Sequence, residues 1–165
     1  MPYPAEAVPA DAEAAGEAGA LGPGAVADAF DVAAVWRHVP RVYEEVRDAL
    51  LDHAETATCR LAHPDPSGAA LQFSFVLRAG DDREVEERYA EAWRDAVAAC
   101  HRAGGTMAHH QGVGLLKAPF LEEEVGATGL DTLTRIKEAL DPGWILNPGK
   151  VIPGDRKRDG EGRPV

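Results

Sequence analysis

Apolar positions change their period along the middle of the chain, and each period predicts an element. After Pro40, the residues Val42, Val46, Ala49 and Leu50 recur at helical spacing, with Arg41, Glu44, Glu45, Arg47 and Asp48 on the opposite face. An amphipathic helix is expected there, with proline in its first turn. Thr56 to His63 is rich in β-prone residues and runs into Pro64-Asp65-Pro66-Ser67-Gly68, a cluster that ends a strand and builds a turn. Ala69 to Arg78 then alternates, with Leu71, Phe73, Phe75 and Leu77 on one face and Gln72, Ser74, Val76 and Arg78 on the other. Period two predicts an antiparallel hairpin whose apolar face covers a core and whose polar face is free to line a site.

A second helix is expected from Gly80-Asp81-Asp82, with Val85, Tyr89, Trp93, Ala96, Val97 and Cys100 as its buried stripe and Gly104-Gly105 as its stop. That helix packs on the sheet. Thr106 to His109 reads as a short extended segment leading into Gln111-Gly112-Val113-Gly114. A third helix carries Leu130, Leu133, Ile136 and Leu140 until Asp141-Pro142 ends it. The hairpin, helix, strand and helix make an α+β fold, a small antiparallel sheet with helices on one face.

Composition sets the bounds of that domain. The chain has 165 residues, enough for one domain, but Gly and Pro supply 17 and 12 of them, so the folded part is expected to be shorter than the chain. Residues 1–27 hold almost no large side chains and too little apolar surface to offset ordering entropy, so they read as a leader or linker. Residues 28–153 form the expected working domain, and the charged, Gly-rich 154–165 an expected solvated tail. The 17 Lys and Arg against 28 Asp and Glu leave a net charge of -11, which repels nucleic acid and anionic lipid. Cys59 and Cys100 are too few for a disulfide framework, no apolar run is long enough for a membrane span, and the N-terminus does not read as a signal peptide. A cytoplasmic protein is the expectation.

The chemistry concentrates in Gly104-Gly105-Thr106-Met107-Ala108-His109-His110-Gln111-Gly112-Val113-Gly114, where two adjacent histidines follow glycines that let a ligand approach the backbone. Neighbouring side chains on a strand point to opposite faces, so only a bend brings both imidazoles to one ligand. The residues alone leave three readings open. The pair is hydrogen-bonded within its loop, or it exchanges a proton with a substrate, or it ligates a metal. The metal reading requires His63 or a carboxylate brought in by the fold, because adjacent histidines are not a usual chelating spacing; no metal is assigned. In Asp141-Pro142-Gly143-Trp144-Ile145-Leu146-Asn147-Pro148-Gly149-Lys150, a helix stop precedes a turn in which Trp144-Ile145-Leu146 docks the end of the chain. Asn147 and Lys150 are also able to donate to an anionic cofactor.

Together these blocks resemble the C-terminal part of FAD-linked oxidases of the vanillyl-alcohol oxidase type, and most of all the alkyldihydroxyacetonephosphate synthase-like branch. The resemblance runs from about Ala27 to Pro153. It rests on Asp28-Ala29-Phe30 before the Trp36 to Leu51 helix, on His63 with Gly68-Ala69-Ala70-Leu71-Gln72-Phe73, on Gly104-Gly105-Thr106 leading to His109-His110-Gln111-Gly112-Val113-Gly114, and on Asp141-Pro142 with Ile145-Leu146-Asn147-Pro148-Gly149-Lys150. In such enzymes an FAD-binding domain precedes a cap domain, and the C-terminal segment returns to the flavin. The resemblance implies that this chain is the cap portion plus the returning segment, with FAD bound mainly by a partner domain or subunit.

By the same resemblance His109 and His110 serve proton transfer or substrate anchoring, His63, Gln72 and Gln111 flank the substrate, and Asn147 and Lys150 face the cofactor. Gln111 stands where the synthase branch has a third histidine, and Gln72 where it has a catalytic tyrosine. An amide hydrogen-bonds but does not titrate, so ether-lipid synthesis is not expected. The expectation is an FAD-dependent oxidoreductase acting on a hydroxy acid or alcohol, incomplete on its own. The alternative is a non-catalytic α+β module or partner subunit derived from such an enzyme.

Overall fold

A computed structural model describes residues 22–153; the rest of the expected leader and the 154–165 tail lie outside them. The chain divides into two compact units, Met1–Gln111 and Gly112–Val165.

In the first unit the order is β1 (Ala25–Val35), α1 (Val39–Leu51), β2 (Thr56–Ala62), β3 (Gly68–Arg78) and α2 (Asp82–Ala103). The three strands form one antiparallel sheet in the order β1-β3-β2. The expected β2–β3 hairpin is present, pairing Thr56 with Val76 through Ala62 with Ala70. Strand β1 was not foreseen. It begins inside the 1–27 stretch and pairs with β3 from Ala25 with Arg78 to Val35 with Gly68. Its 11-residue sequence, AVADAFDVAAV, is nearly half alanine, a residue depleted in strands, so the alternation of Phe30, Val32 and Ala34 is hard to see against small neighbours. The expected strand at Thr106 to His109 shrinks to one bridge. Thr106 exchanges two backbone hydrogen bonds with Ala33 at 2.8 and 3.0 Å and covers that part of the outer edge of β1.

One face of the sheet carries the core. Phe30 and Val32 from β1 and Leu71, Phe73, Phe75 and Leu77 from β3 are buried with Val42, Val46 and Leu50 of α1 and Val85, Trp93, Ala96, Val97 and Cys100 of α2. The Phe30 ring centre lies 5.7 Å from that of Phe73 and 4.9 Å from that of Trp93, so both strands and the helix meet at this aromatic cluster. Tyr89 is half-buried, and its hydroxyl donates to Asp28 on β1. Helix α2 starts where Asp81 Oδ1 accepts the Glu84 N–H at 2.9 Å and Glu84 reaches back to the Gly80 N–H at 2.8 Å, the reciprocal logic of a capping box. It ends at Gly104, whose φ of 84° only glycine adopts readily. Cys59 is a free thiol, and burial pushes it up to about 12.

The second unit contains α3 (Gly114–Lys117), a 3-10 turn (Ala118–Phe120) and α4 (Leu121–Leu140), which is interrupted at Gly126 with φ 73° and ψ 164°. The expected apolar stripe on α4 is not fully buried: Ile136 is 51 % and Leu140 80 % exposed. The Trp144-Ile145-Leu146 segment also differs from the expected dock. Only Trp144 is half-buried, and Ile145 is 77 % exposed. The reason is Asp141, whose carboxylate receives the Lys137 ammonium and the Ile145 and Leu146 N–H groups and turns the chain sharply. The Lys137 ammonium and these amides hold the Asp141 carboxyl below the usual carboxylate range. No helix among the described residues is long and apolar enough to cross a membrane.

Candidate functional site

Beyond α2 the chain must squeeze past the core. A side chain at Gly105 would put its Cβ 2.7 Å from Cys100 Sγ and 3.2 Å from the Ala33 carbonyl oxygen. Met107 is fully buried and anchors the loop, which then releases Ala108-His109-His110-Gln111 along β1. Because this stretch bends rather than continuing as a strand, the two adjacent imidazoles turn toward each other. Their Nδ1 atoms lie 3.2 Å apart and their planes cross at 85°.

Residues from both strand edges meet the pair. His63 directly follows β2 with φ 46°, and its ring centre lies 5.5 Å from that of His109 and 5.1 Å from that of His110. Asp31, in the middle of β1, is a site residue that the sequence reading misses. It is completely buried, and its Oδ2 accepts the His110 backbone N–H at 3.1 Å and lies 3.1 Å from His110 Nδ1. Gln111 completes the clamp, its Oε1 accepting the Asp31 N–H at 3.2 Å. Alternation along β1 was the available signal, since Asp31 falls between Phe30 and Val32 and must point away from the core.

Of the sequence-derived site residues, His63, His109, His110 and Gln111 are therefore brought together. Gln72 occupies the same cross-strand row as Asp31, between it and Arg60, and its Oε1 accepts from the Arg60 guanidinium. Asn147 and Lys150 belong to the second unit, where Asn147 has φ 47° and its carbonyl accepts the Lys150 N–H at 3.3 Å. Both are exposed in a turn. As for a cation, the fold brings in the Asp31 carboxylate, one of the two additions either of which the metal reading requires, and one donor atom each from Asp31, His109 and His110 falls within 4.8 Å of the others.

Beside the histidines lies an open cavity of about 380 Å³ whose walls include His63, Asp65, Ser67, Gly105, Thr106 and His109, a size at the small end of ligand pockets. The Asp65 carboxylate is engaged locally: it accepts from the Ser67 hydroxyl at 2.6 Å and from the Ser67 and Gly68 N–H groups at 2.6 and 3.0 Å. The Ser67 hydroxyl, then these amides, hold its carboxyl below the usual carboxylate range, with a smaller contribution from His109. A depressed folded value contributes stability above the unfolded value of about 3.9 and loses it as pH falls through the folded one. Asp65→Asn is thus expected to melt below the parent protein by a constant interval above about pH 5, with the interval narrowing toward pH 3. Melting curves of both proteins across that range test it, and an interval independent of pH would refute it.

Residues 8–151 match the family model for the C-terminal domain of FAD linked oxidases. The chain belongs to this family. The match begins inside the 1–27 stretch and takes in both units. Among similar proteins, the alkyldihydroxyacetonephosphate synthase of Trypanosoma brucei brucei is 30% identical over 120 residues, 72% of this chain and 19% of the synthase. Glycolate oxidase subunit GlcD of Bacillus subtilis (strain 168) is 32% identical over 105 residues, 63% of this chain and 22% of that subunit. The mitochondrial D-lactate dehydrogenase [cytochrome] of Arabidopsis thaliana is 38% identical over 97 residues, 52% of this chain and 17% of the enzyme. This FAD-linked oxidase C-terminal domain thus spans about a fifth of the length of the curated relatives it matches.

Proposed function

We propose that this chain is the substrate-cap portion of an FAD-dependent oxidoreductase acting on a hydroxy acid or alcohol, completed by an FAD-binding domain or subunit. The observation that carries this reading is the convergence of His63, His109 and His110 beside a cavity of about 380 Å³. That size suits a small hydroxylated substrate. The cavity does not suit the dinucleotide. Among the described residues of its wall there is no Lys or Arg, and the Asp65 carboxylate faces a space where a pyrophosphate would need donors. FAD, held mainly elsewhere, supplies the hydride acceptor when bound. This chain supplies the proton chemistry: an imidazole takes the hydroxyl proton of the substrate, and the neighbouring rings donate hydrogen bonds to its oxygens.

The names of the relatives agree with a small substrate, since glycolate and D-lactate are both 2-hydroxy acids. Apolar residues left exposed on the second unit, Leu115, Ile136, Leu140 and Ile145, agree with a surface normally covered by a partner.

One observation favours a second reading, a non-catalytic module derived from such an enzyme. Gln72 and Gln111 are both occupied with structural hydrogen bonds, one to Arg60 and one to the Asp31 backbone. Flavin titration separates the two readings. The purified chain alone is expected to leave flavin fluorescence and absorbance unchanged, and the chain mixed with a complementary FAD-binding domain or subunit to bind FAD tightly and oxidise hydroxy acids. Binding without turnover in the mixture would support the second reading, and tight binding by the chain alone would overturn the proposed division of labour.

A further inference from the structure

We infer that Asp31 is a positioning residue that locks His109 and His110 into opposite tautomers, giving the adjacent imidazoles opposite hydrogen-bonding roles. Asp31 Oδ2 already faces His110 as an acceptor, since it takes the His110 backbone N–H at 3.1 Å, so in its 3.1 Å contact with the ring the imidazole is the donor, through Nδ1–H. The neutral His110 ring then has a bare Nε2. His109 Nδ1 lies 3.2 Å from that same protonated nitrogen, and two N–H groups cannot face each other at that distance. His109 Nδ1 is therefore bare and its proton sits on Nε2. The His110 N–H is shared between Oδ2 of Asp31 and Nδ1 of His109.

The clamp is built to hold this arrangement. Asp31 is fully buried on a strand that is paired along its length, and the His110 amide N–H is bound to the same Oδ2. The Asp31 amide is tied to the Gln111 side chain. The carboxyl group thus grips both the backbone and the ring of His110, and neither can rotate without losing a bond to a buried oxygen. His63 stands against both rings at 5.1 and 5.5 Å, while the other nearby charged group, Asp65, is occupied by Ser67 and Gly68. If the site moves a substrate proton as proposed above, His110 Nε2 is the acceptor and His109 Nε2–H the donor. That division rests on the proposed function. The tautomers do not.

The test is nitrogen NMR of the full chain labelled at histidine, recorded about two pH units above the ordinary imidazole value of about 6.5. His110 is expected to give a protonated-type signal for Nδ1 and an unprotonated-type signal for Nε2, with His109 the reverse. In Asp31→Asn the amide group is able to donate to His110 Nδ1, so the His110 pattern is expected to invert and the His109 preference to vanish, while backbone signals of β3 and α2 stay in place. Equal tautomers on the two rings of the unaltered chain would overturn the inference whether or not the variant folds. So would an unchanged pattern in a folded Asp31→Asn. One equivalent of Zn²⁺ that shifts both rings together would overturn it as well, assigning the three side chains to a cation instead. An intact pattern in a reconstituted enzyme indifferent to His109 and His110 would refute the proton-transfer reading and leave the positioning role standing.

Discussion

Gly68→Ala is expected to lower the melting midpoint of the chain by about 10 °C, corresponding to about 3 kcal/mol, the upper end of the cost of overpacking. The added Cβ would lie 2.1 Å from the Ala34 carbonyl oxygen and 2.9 Å from its carbon. Those atoms are backbone in the partner strand, so no side chain can swing away to make room. β1 and β3 would have to part at the end of their ladder, where Gly68 pairs with Val35. The damage would reach the site, because the Gly68 N–H bonds Asp65 Oδ1 at 3.0 Å and its carbonyl receives the Asp65 N–H at 2.9 Å. Asp65 and His63 belong to the same turn. Thermal unfolding followed by circular dichroism checks this, with Gly112→Ala as control, since a Cβ there meets nothing within 4 Å. A Gly68→Ala protein melting within a degree or two of its parent would refute the close approach of the strands.

His109→Ala is expected to reduce turnover of the reconstituted enzyme by about 10²- to 10⁴-fold, the range typical of losing a general acid or base. Its ring is exposed at the edge of the cavity, so truncation should move the melting midpoint little. His110→Ala differs in kind. It removes the ring donor of a fully buried carboxylate, so a stability loss of about 1–3 kcal/mol should accompany the fall in rate. Steady-state rates and melting curves of the two variants, taken together, distinguish the roles. Equal melting losses for both would contradict the placement of Asp31 under His110 alone, and undiminished turnover in His109→Ala would remove that ring from the chemistry.

How much of this was legible in the sequence depended on whether the signal lay in one element or between two. The β2–β3 hairpin was readable because Leu71, Phe73, Phe75 and Leu77 alternate over uninterrupted apolar side chains, and α2 because Asp81 and Gly104 mark its ends. The histidine run was readable as chemistry from its glycines. Strand β1 was not, since alanines dilute its period, and with it went Asp31, whose importance exists only once β1 lies beside the 106–111 loop. The stripe on α4 failed for another reason. Helical spacing reports which residues share a face, not whether anything covers it, and Ile136 and Leu140 share a face that is open here. The candidate site likewise needed the bend at His109 and His110, which no periodicity encodes.

The position of β1 in the sheet also sets an order of events during synthesis. β1 leaves the ribosome before the other described elements of its unit, yet its partner is β3, so Ala25 must wait for Arg78 and Val35 for Gly68. Meanwhile α1 and then the β2–β3 hairpin can form from neighbouring residues, and α2 completes the face that Phe30 will fill. Long-range pairing carries a loop-closure cost that local pairing does not, which makes docking of β1 the late and slow step. Since Asp31 travels with β1, the His109–His110 arrangement is assembled only when that strand docks, and a nascent chain is without its site until β1 has found its place.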